Sequence, residues 1–277
     1  MKKILVPTDF SQNAGNALEF AIALAQKEHA EIQLVHACQV LMTTPGIPAS
    51  DVMQAIQGSV KKAEKQLLEW SANIRKKNKV NCTVCCKDEL VVDFICERIR
   101  KWKPDLVVMG SKGATGTKAI ILGSNAERVI QRATCPVLMV PEKASFGGLK
   151  KITYATDFHE PDMAGFDKLL DLAEDFNSKI DIVHIAVTEI FQNKLKLNKF
   201  MEGMSRKLIY RNFSCGLLHG KDMCKTLEEH LAENKSDLLV MSMHKGGMLK
   251  RLFGNSLTKR MTFHTHVPLL VINGKGK

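Results

Sequence analysis

Short apolar runs alternate with longer amphipathic stretches along the 277-residue chain. In the first half, the apolar runs predict strands at 3–7, 32–36, 80–86, 105–109 and 136–140. Apolar residues at helical spacing predict helices at 12–28, 53–77, 90–102 and 124–132. A loop with proline and glycine is expected near 43–50. This alternation predicts right-handed βαβ crossovers and a parallel sheet that is covered on both faces.

The same order of blocks occurs a second time. "KKILVPTDF" at 2–10 is matched by "KKITYATDF" at 150–158, and "KPDLVVMGSKG" at 103–113 is matched by "KSDLLVMSMHKGG" at 235–247. A period near 140 residues is too long for a solenoid unit and indicates two copies of a domain.

We therefore predict an α/β protein of two tandem doubly wound parallel-sheet domains, Rossmann-like in class. The expected domains are 1–143 and 149–277, and the polar, glycine-containing stretch 142–151 is the expected linker.

Composition and charge narrow the class of protein. The chain is 45% hydrophobic and 25% charged, as in soluble globular proteins. The apolar start reaches Asp9 too soon for a signal peptide, and no uncharged segment is apolar enough to span a bilayer. We expect a cytoplasmic protein with no membrane partner. The net charge of +11 is shared by both halves without an aromatic-studded basic tract, so a nucleic-acid partner is not favoured.

A glycine-rich loop follows the fourth predicted strand. Gly110, Gly113, Gly123 and Ser124 are spaced as G-x2-G-x9-G-S. Glycine lets backbone N–H groups approach an anion closely, and the helix that follows would offer its free N–H groups, with Ser124 or Asn125 as its cap. The spacing is not that of a Walker A loop, nor of a dinucleotide fingerprint. The loop predicts a polyphosphate ligand.

This glycine spacing, together with "VPTDFS" at the end of the first strand, resembles the universal stress protein family over essentially the whole chain, in a tandem form. The resemblance implies an adenine nucleotide alpha hydrolase-like fold and a role in the stress response. It also implies ATP as ligand, with or without Mg. The residues that it places around the adenine, the ribose and the phosphates are Pro7, Thr8, Asp9, His36, Ala37, Met109, Gly110, Gly113, Gly123, Ser124 and Asn125.

The second copy departs from the pattern. Thr156 and Asp157 are retained, but Ser242 aligns with Gly110, and Asn255 with Ser124. Side chains in place of glycine would obstruct a phosphate. We expect this domain to bind ATP weakly or not at all. The resemblance further implies antiparallel pairing of 136–140 with 267–272, so that one chain imitates a homodimer; dimerisation of whole chains and the protein partner stay open.

Catalysis is not favoured by the residues near the loop. Asp9 is the sole acidic candidate there, and no Ser/His/Asp or two-carboxylate constellation accompanies it. We assign no catalytic residue and expect ATP to act as a regulatory or sensor ligand. Two alternatives remain: a slow ATPase or phosphotransfer protein that uses Asp9 and a metal, and an interaction scaffold that needs no nucleotide.

Several other side chains have two possible roles. "CTVCC" could hold a metal or a redox pair through Cys82, Cys85 and Cys86, but buried thiols of a strand are favoured. His264 and His266 form an H-x-H pair without an evident third ligand. His36 recurs as His184 at the matching position of the second copy. This repetition favours a structural role for the histidine over proton transfer. Asp9 could instead cap the first helix.

Overall fold

The computed structural model describes residues 1–38, 49–111, 123–158, 169–186, 190–205, 210, 212–243 and 266–273. These residues form two compact units, and the division falls between Glu142 and Lys143. The division lies inside the predicted linker, where residues 141–150 form neither helix nor strand.

Strands and helices alternate throughout the first unit. Its elements are β1 (Lys3–Pro7), α1 (Gln12–Glu28), β2 (Glu31–Ala37), α2 (Ala49–Asn78), β3 (Cys82–Lys87), α3 (Val91–Trp102), β4 (Leu106–Gly110), α4 (Ser124–Arg132) and β5 (Val137–Val140). The strands are parallel neighbours in the order β3-β2-β1-β4-β5. The order reverses direction at β1, which confirms the predicted doubly wound sheet.

The second unit repeats this topology. Its elements are β6 (Lys151–Ala155), α5 (described over 169–176), β7 (Lys179–Ala186), α6 (Ile190–Ser205), β8 (Phe213–His219), α7 (Met223–Asn234), β9 (Leu238–Met243) and β10 (Leu269–Asn273). The strands are parallel in the order β10-β9-β6-β7-β8. Since β6 to β10 take the places of β1 to β5, the predicted tandem fold is confirmed.

Both faces of the first sheet are covered. Ile4, Leu5 and Val6 are all fully buried, although successive side chains of a strand point to opposite faces. Helix α1 packs on β4, and α3 packs on β2. The uninterrupted apolar runs of the sequence therefore arise from burial on both sides of a parallel sheet.

Two predicted boundaries in the first unit are wrong by two residues or more, and several others by one residue. Helix α2 begins at Ala49, four residues before the predicted start, because its first turn lacks the apolar spacing that marks the rest. Strand β3 begins at Cys82 instead of position 80. Lys79, with φ of 60°, ends α2 in a left-handed turn, and Val80 is buried in the connection. Of the predicted loop, residues 43–48 lie outside the described residues.

The longest described helix, α2, is 30 residues long but carries charged side chains such as Lys61, Lys62 and Glu64. Within the described parts of the chain, no helix is both long enough and apolar enough to cross a membrane.

Each unit holds one polar cluster between its second and third strands. In the first unit, Gln33 lies opposite Thr83 in the sheet register. The Oε1 atom of Gln33 accepts hydrogen bonds from Arg98, at 3.1 Å from Nε and 2.8 Å from Nη2. Neither Gln33 nor Thr83 has an ionisable side chain.

The corresponding cluster of the second unit is ionisable. Asp181 lies opposite Ser214 and accepts hydrogen bonds from Ser214 Oγ at 2.8 Å and from His230 Nε2 at 2.7 Å. Burial by itself would raise the pKa of the Asp181 carboxyl, but these two hydrogen bonds outweigh it and hold the pKa below its usual value. The folded state of this unit therefore favours ionised Asp181.

Candidate functional site

A cavity of about 180 Å³ lies at the carboxyl ends of β1, β2 and β4. This is where the strand order reverses, the usual place for a ligand in an open parallel sheet. Ten of the eleven residues predicted from the sequence to contact a nucleotide line the cavity: Pro7, Thr8, Asp9, His36, Ala37, Met109, Gly110, Gly123, Ser124 and Asn125. The remaining one, Gly113, lies outside the described residues.

Apolar side chains complete the lining, and the sequence-based prediction missed them. They are Ala14, Val35, Val91, Phe94, Ile95 and Ala126. Three of the six belong to the first turns of α3, whose start was predicted at the carboxyl edge of β3. That position was the available signal, since helices that follow parallel strands begin at the edge where ligands bind. An apolar surface with a few polar groups is typical of small-molecule sites.

The turn after β1 is held by its own side chains. Thr8 Oγ1 accepts a hydrogen bond from the Phe10 N–H at 3.0 Å, and Asp9 Oδ1 accepts one from the Ser11 N–H at 3.0 Å. Phe10 has a φ of 61°, a left-handed conformation that non-glycine residues adopt only when the surroundings fix it. The turn places exposed Asp9 at the mouth of the cavity.

The second unit builds the same turn. Thr156 Oγ1 accepts from the Phe158 N–H at 2.9 Å, and Phe158 also has a φ of 61°. The repeated Thr-Asp-Phe sequence thus encodes a backbone conformation, independently of any ligand.

The cap of α1 is Ser11, whose Oγ accepts from the Ala14 N–H at 3.2 Å. The alternative that Asp9 caps this helix is therefore wrong. Both Asp9 and Ser11 lie near the start of this helix and can accept a backbone hydrogen bond. Asp9 uses its carboxylate in the short turn that precedes the cap.

The repeated histidine supports the same region in both units. His36 Nδ1 lies 2.7 Å from the Thr8 carbonyl oxygen, and His184 Nδ1 lies 2.7 Å from that of Thr156. A carbonyl oxygen only accepts, so Nδ1 carries the proton and donates in each case. Phe10 stacks against His36 with ring centroids 4.6 Å apart. These contacts confirm the structural role predicted for the histidine, and His36 also lines the cavity.

Gly110 ends β4 beside Asn13 of α1. A Cβ atom at position 110 would lie 2.9 Å from both Cγ and Nδ2 of Asn13. Asn13 is only 6% exposed, so it has little room to move away. The glycine is thus required by close packing as well as by access to the cavity.

The start of α4 differs from the prediction in one respect. Neither Ser124 nor Asn125 is the cap; Gly123 occupies the cap position and no side chain caps the helix. Gly123 N–H donates to the Ser111 carbonyl at 2.9 Å, which fixes where the helix begins. Without a side-chain cap, the first N–H groups of α4 stay available at the cavity, which is the arrangement that suits an anion.

In the second unit, the register of β6 and β9 places Ser242 where the first unit has Gly110. Ser242 is buried, and its Oγ forms a hydrogen bond with the Tyr154 hydroxyl at 2.8 Å. Tyr154 is fully buried in β6. Positions 244 or 245, which align with Gly113, and positions 254 and 255, which align with Gly123 and Ser124, lie outside the described residues.

The candidate metal ligands do not come together as a metal site in the described part of the chain. No group of three or more His, Cys, Asp or Glu side chains there could hold a metal ion. Residues Cys82, Cys85 and Cys86 lie in β3, as predicted for "CTVCC". All eight cysteines are described and are free thiols. His266 is exposed, and position 264 lies outside the described residues.

Comparison with known proteins identifies a family and several relatives. The family model of the universal stress protein family matches residues 1–141. Universal stress protein MJ0531 of Methanocaldococcus jannaschii is 35% identical over 50% of this chain and 81% of its own length. Universal stress protein MJ0577 of the same organism is 34% identical over 52% of this chain and 97% of its own length.

The fold comparison extends over both units. The crystal structure of a universal stress protein from Archaeoglobus fulgidus covers 98% of this chain and 98% of its own, with a TM-score of 0.75. Its sequence identity of 17% means that the likeness concerns the fold alone.

Proposed function

Because this chain belongs to the universal stress protein family, we propose that its N-terminal domain, residues 1–143, binds ATP as a regulatory or sensor ligand. The observation that carries the proposal is the cavity, where widely separated segments of the sequence meet the uncapped start of α4. The C-terminal domain, 149–277, acts as a degenerate partner in this proposal. Cytoplasmic location, a role in the stress response and antiparallel pairing of the two final strands are parts of the same proposal.

Different parts of the lining suit the adenine ring and the phosphates. The apolar side chains of α3, Val91, Phe94 and Ile95, offer a surface for the adenine ring. The N–H groups of Ser124 and Asn125 take the phosphates, with favourable interaction between their charge and the helix dipole.

Binding of a divalent cation together with the phosphates is consistent with this proposal. Asp9 is the one carboxylate among the described lining residues. Mg²⁺ commonly uses one or two carboxylates together with phosphate oxygens and water. Mg²⁺ would thus enter with ATP and neutralise phosphate charge, and Asp9 is the side chain of the described lining able to hold it.

Substitution of Ser124 tests the role of α4. Proline is well tolerated at the first position of a helix, and Gly123, with ψ of 146°, already has the extended conformation that precedes proline. Ser124→Pro therefore removes one N–H donor and the hydroxyl while the helix is kept. Ser124→Ala removes the hydroxyl alone.

We expect Ser124→Pro to weaken ATP binding at least about tenfold, since a hydrogen bond to a charged group contributes about 1.5–3 kcal/mol. Ser124→Ala should have a smaller effect. Gln12→Pro is the matched control, since Gln12 is the first residue of α1 and does not line the cavity. Equal weakening by the two proline variants, or no binding of ATP by the wild-type chain, would contradict the proposal.

The ATPase alternative is separated by product analysis. If Asp9 and a metal drive hydrolysis, Asp9→Asn abolishes phosphate release and leaves ATP binding intact. We expect no efficient release by the wild-type chain, because the described lining holds no second carboxylate beside Asp9, and its histidine, His36, uses Nδ1 to donate to the Thr8 carbonyl. Under the scaffold alternative, binding of a protein partner does not depend on nucleotide.

A further inference from the structure

Two thiols meet next to the cavity although 47 residues separate them in the sequence. The sulfur atoms of Cys38 and Cys86 lie 3.4 Å apart. Cys86 is in β3, and Cys38 directly follows β2. The Cys38 N–H donates to the Lys87 carbonyl at 2.9 Å, which fixes the backbone of Cys38 beside the strand that carries Cys86.

Helix α2 covers this pair. The Cys38 thiol lies 3.9 Å from the Ser59 carbonyl oxygen, and the Cys86 thiol lies 4.0 Å from that of Val60. Cys38 is 6% exposed, whereas Cys86 is partly exposed. The pair thus lies between the carboxyl ends of β2 and β3 and helix α2, and Cys86 leaves it accessible to a small solute.

We propose that Cys38 and Cys86 form a reversible disulfide when the chain meets a hydroperoxide. A disulfide has a sulfur–sulfur distance of about 2.05 Å, so the two atoms need to approach by roughly 1.4 Å. This inference is independent of the proposed nucleotide function, although Cys38 adjoins His36 and Ala37 of the cavity lining.

The reaction balances with hydrogen peroxide as the oxidant. The thiolate of one cysteine attacks a peroxide oxygen, the O–O bond breaks, and a sulfenic acid and water result. The sulfur of the second cysteine then displaces the hydroxyl group as water. Both sulfurs are oxidised by one electron each, the peroxide takes up two electrons, and both thiol protons end in the two water molecules.

Burial sets the rate of this step. It raises the pKa of the Cys86 thiol to about 12, and the neighbouring Cys38 thiol contributes to the rise. Burial also raises the pKa of Cys38. The thiolate is the reactive form, so oxidation is slow at neutral pH. Its rate should rise about tenfold from pH 7 to pH 8, because the thiolate fraction rises tenfold. The site therefore responds to strong or lasting peroxide exposure.

Peptide mapping tests the proposal directly. The full-length reduced chain is treated with hydrogen peroxide, its remaining thiols are alkylated, and it is digested without reductant for mass spectrometry. We expect a peptide pair joined through Cys38 and Cys86, lighter by two hydrogen atoms and separated again by dithiothreitol. Recovery of both cysteines as separate alkylated or sulfinic peptides would overturn the proposal.

Single substitutions give the controls. Cys38→Ser and Cys86→Ser should each abolish the linked peptide. Cys85→Ser should leave it, because neighbouring side chains of β3 point to opposite faces. A link through Cys85, or a linked peptide that persists in Cys38→Ser, would also overturn the proposal. Circular dichroism of each variant verifies that it is folded before oxidation.

Discussion

Alanine at position 110 tests whether the end of β4 is closely packed against α1. The added Cβ would lie 2.9 Å from Cγ and Nδ2 of Asn13, closer than Cβ atoms approach other heavy atoms in proteins, and 3.1 Å from Oδ1. Asn13 is buried and has to shift. Overpacking of this kind typically costs about 1–3 kcal/mol, so we expect the free energy of unfolding of the first unit to fall by that amount.

Urea unfolding followed by circular dichroism measures this change. Gly58→Ala is the matched control, since Gly58 stands inside α2 and its added Cβ would meet no described atom within 4 Å apart from its chain neighbours and the backbone of its own helix. The same substitution should there stabilise by about 0.5–1 kcal/mol, because glycine is unfavourable inside a helix.

A double-mutant cycle isolates the steric contact. Asn13→Ala removes the atoms that the new Cβ at position 110 would meet. Gly110→Ala should therefore cost about 1 kcal/mol less in the Asn13→Ala background than in the wild type. Additive effects of the two substitutions, or a stabilising Gly110→Ala, would refute the steric reasoning.

Three further predictions concern stability. Asp181→Asn should lower the free energy of unfolding by about 1–2 kcal/mol at pH 7. The pKa of Asp181 lies below its usual 3.8 in the folded state, so its stabilisation is present above about pH 4 and is lost as pH falls further; an equal loss at pH 7 and pH 3 would contradict this. Ser11→Ala removes the cap on the Ala14 N–H and should cost about 1 kcal/mol in urea unfolding, and no loss would argue against the cap. Ser71→Ala removes a buried 2.7 Å hydrogen bond to the Cys82 carbonyl and should cost about 1–2 kcal/mol, whereas an unchanged midpoint would show that the bond contributes nothing.

Much of the fold follows from the sequence because its signals are local or repeated. Parallel strands buried on both faces read as short apolar runs, and helices between them read as amphipathic stretches. The Thr-Asp-Phe turn recurs because Thr8 and Thr156 bind the backbone two residues on. The repetition of the motif in both units reflects this shared backbone conformation.

The remaining features of the fold and the site could not be predicted, because no local sequence pattern encodes them. The need for Gly110 comes partly from Asn13, which lies on another element. The start of α2 at Ala49 carries no apolar periodicity. The proximity of Cys38 to Cys86 follows from the pairing of β2 with β3, whose register is set by the fold.

In the second unit, too, the sequence predicts matching positions but not the side-chain contacts made there. Alignment of the two halves already placed Ser242 opposite Gly110, but the partner of its hydroxyl, Tyr154, was visible only in the structure. The exchange of Gln33 for Asp181 can be read from the alignment of "IQLVH" with "IDIVH", but the contacts of Asp181 with Ser214 and His230 depend on the fold.

Calorimetric titration of the nucleotide-free full-length chain with Mg-ATP tests the central claim most directly. The proposal predicts one site per chain, because the cavity of the first unit has Gly110 and a free α4 start, whereas the second has buried Ser242 bound to Tyr154. Two equivalent sites per chain would contradict the assignment of a degenerate second domain. No heat, with no competition by any adenine nucleotide, would contradict ATP binding itself.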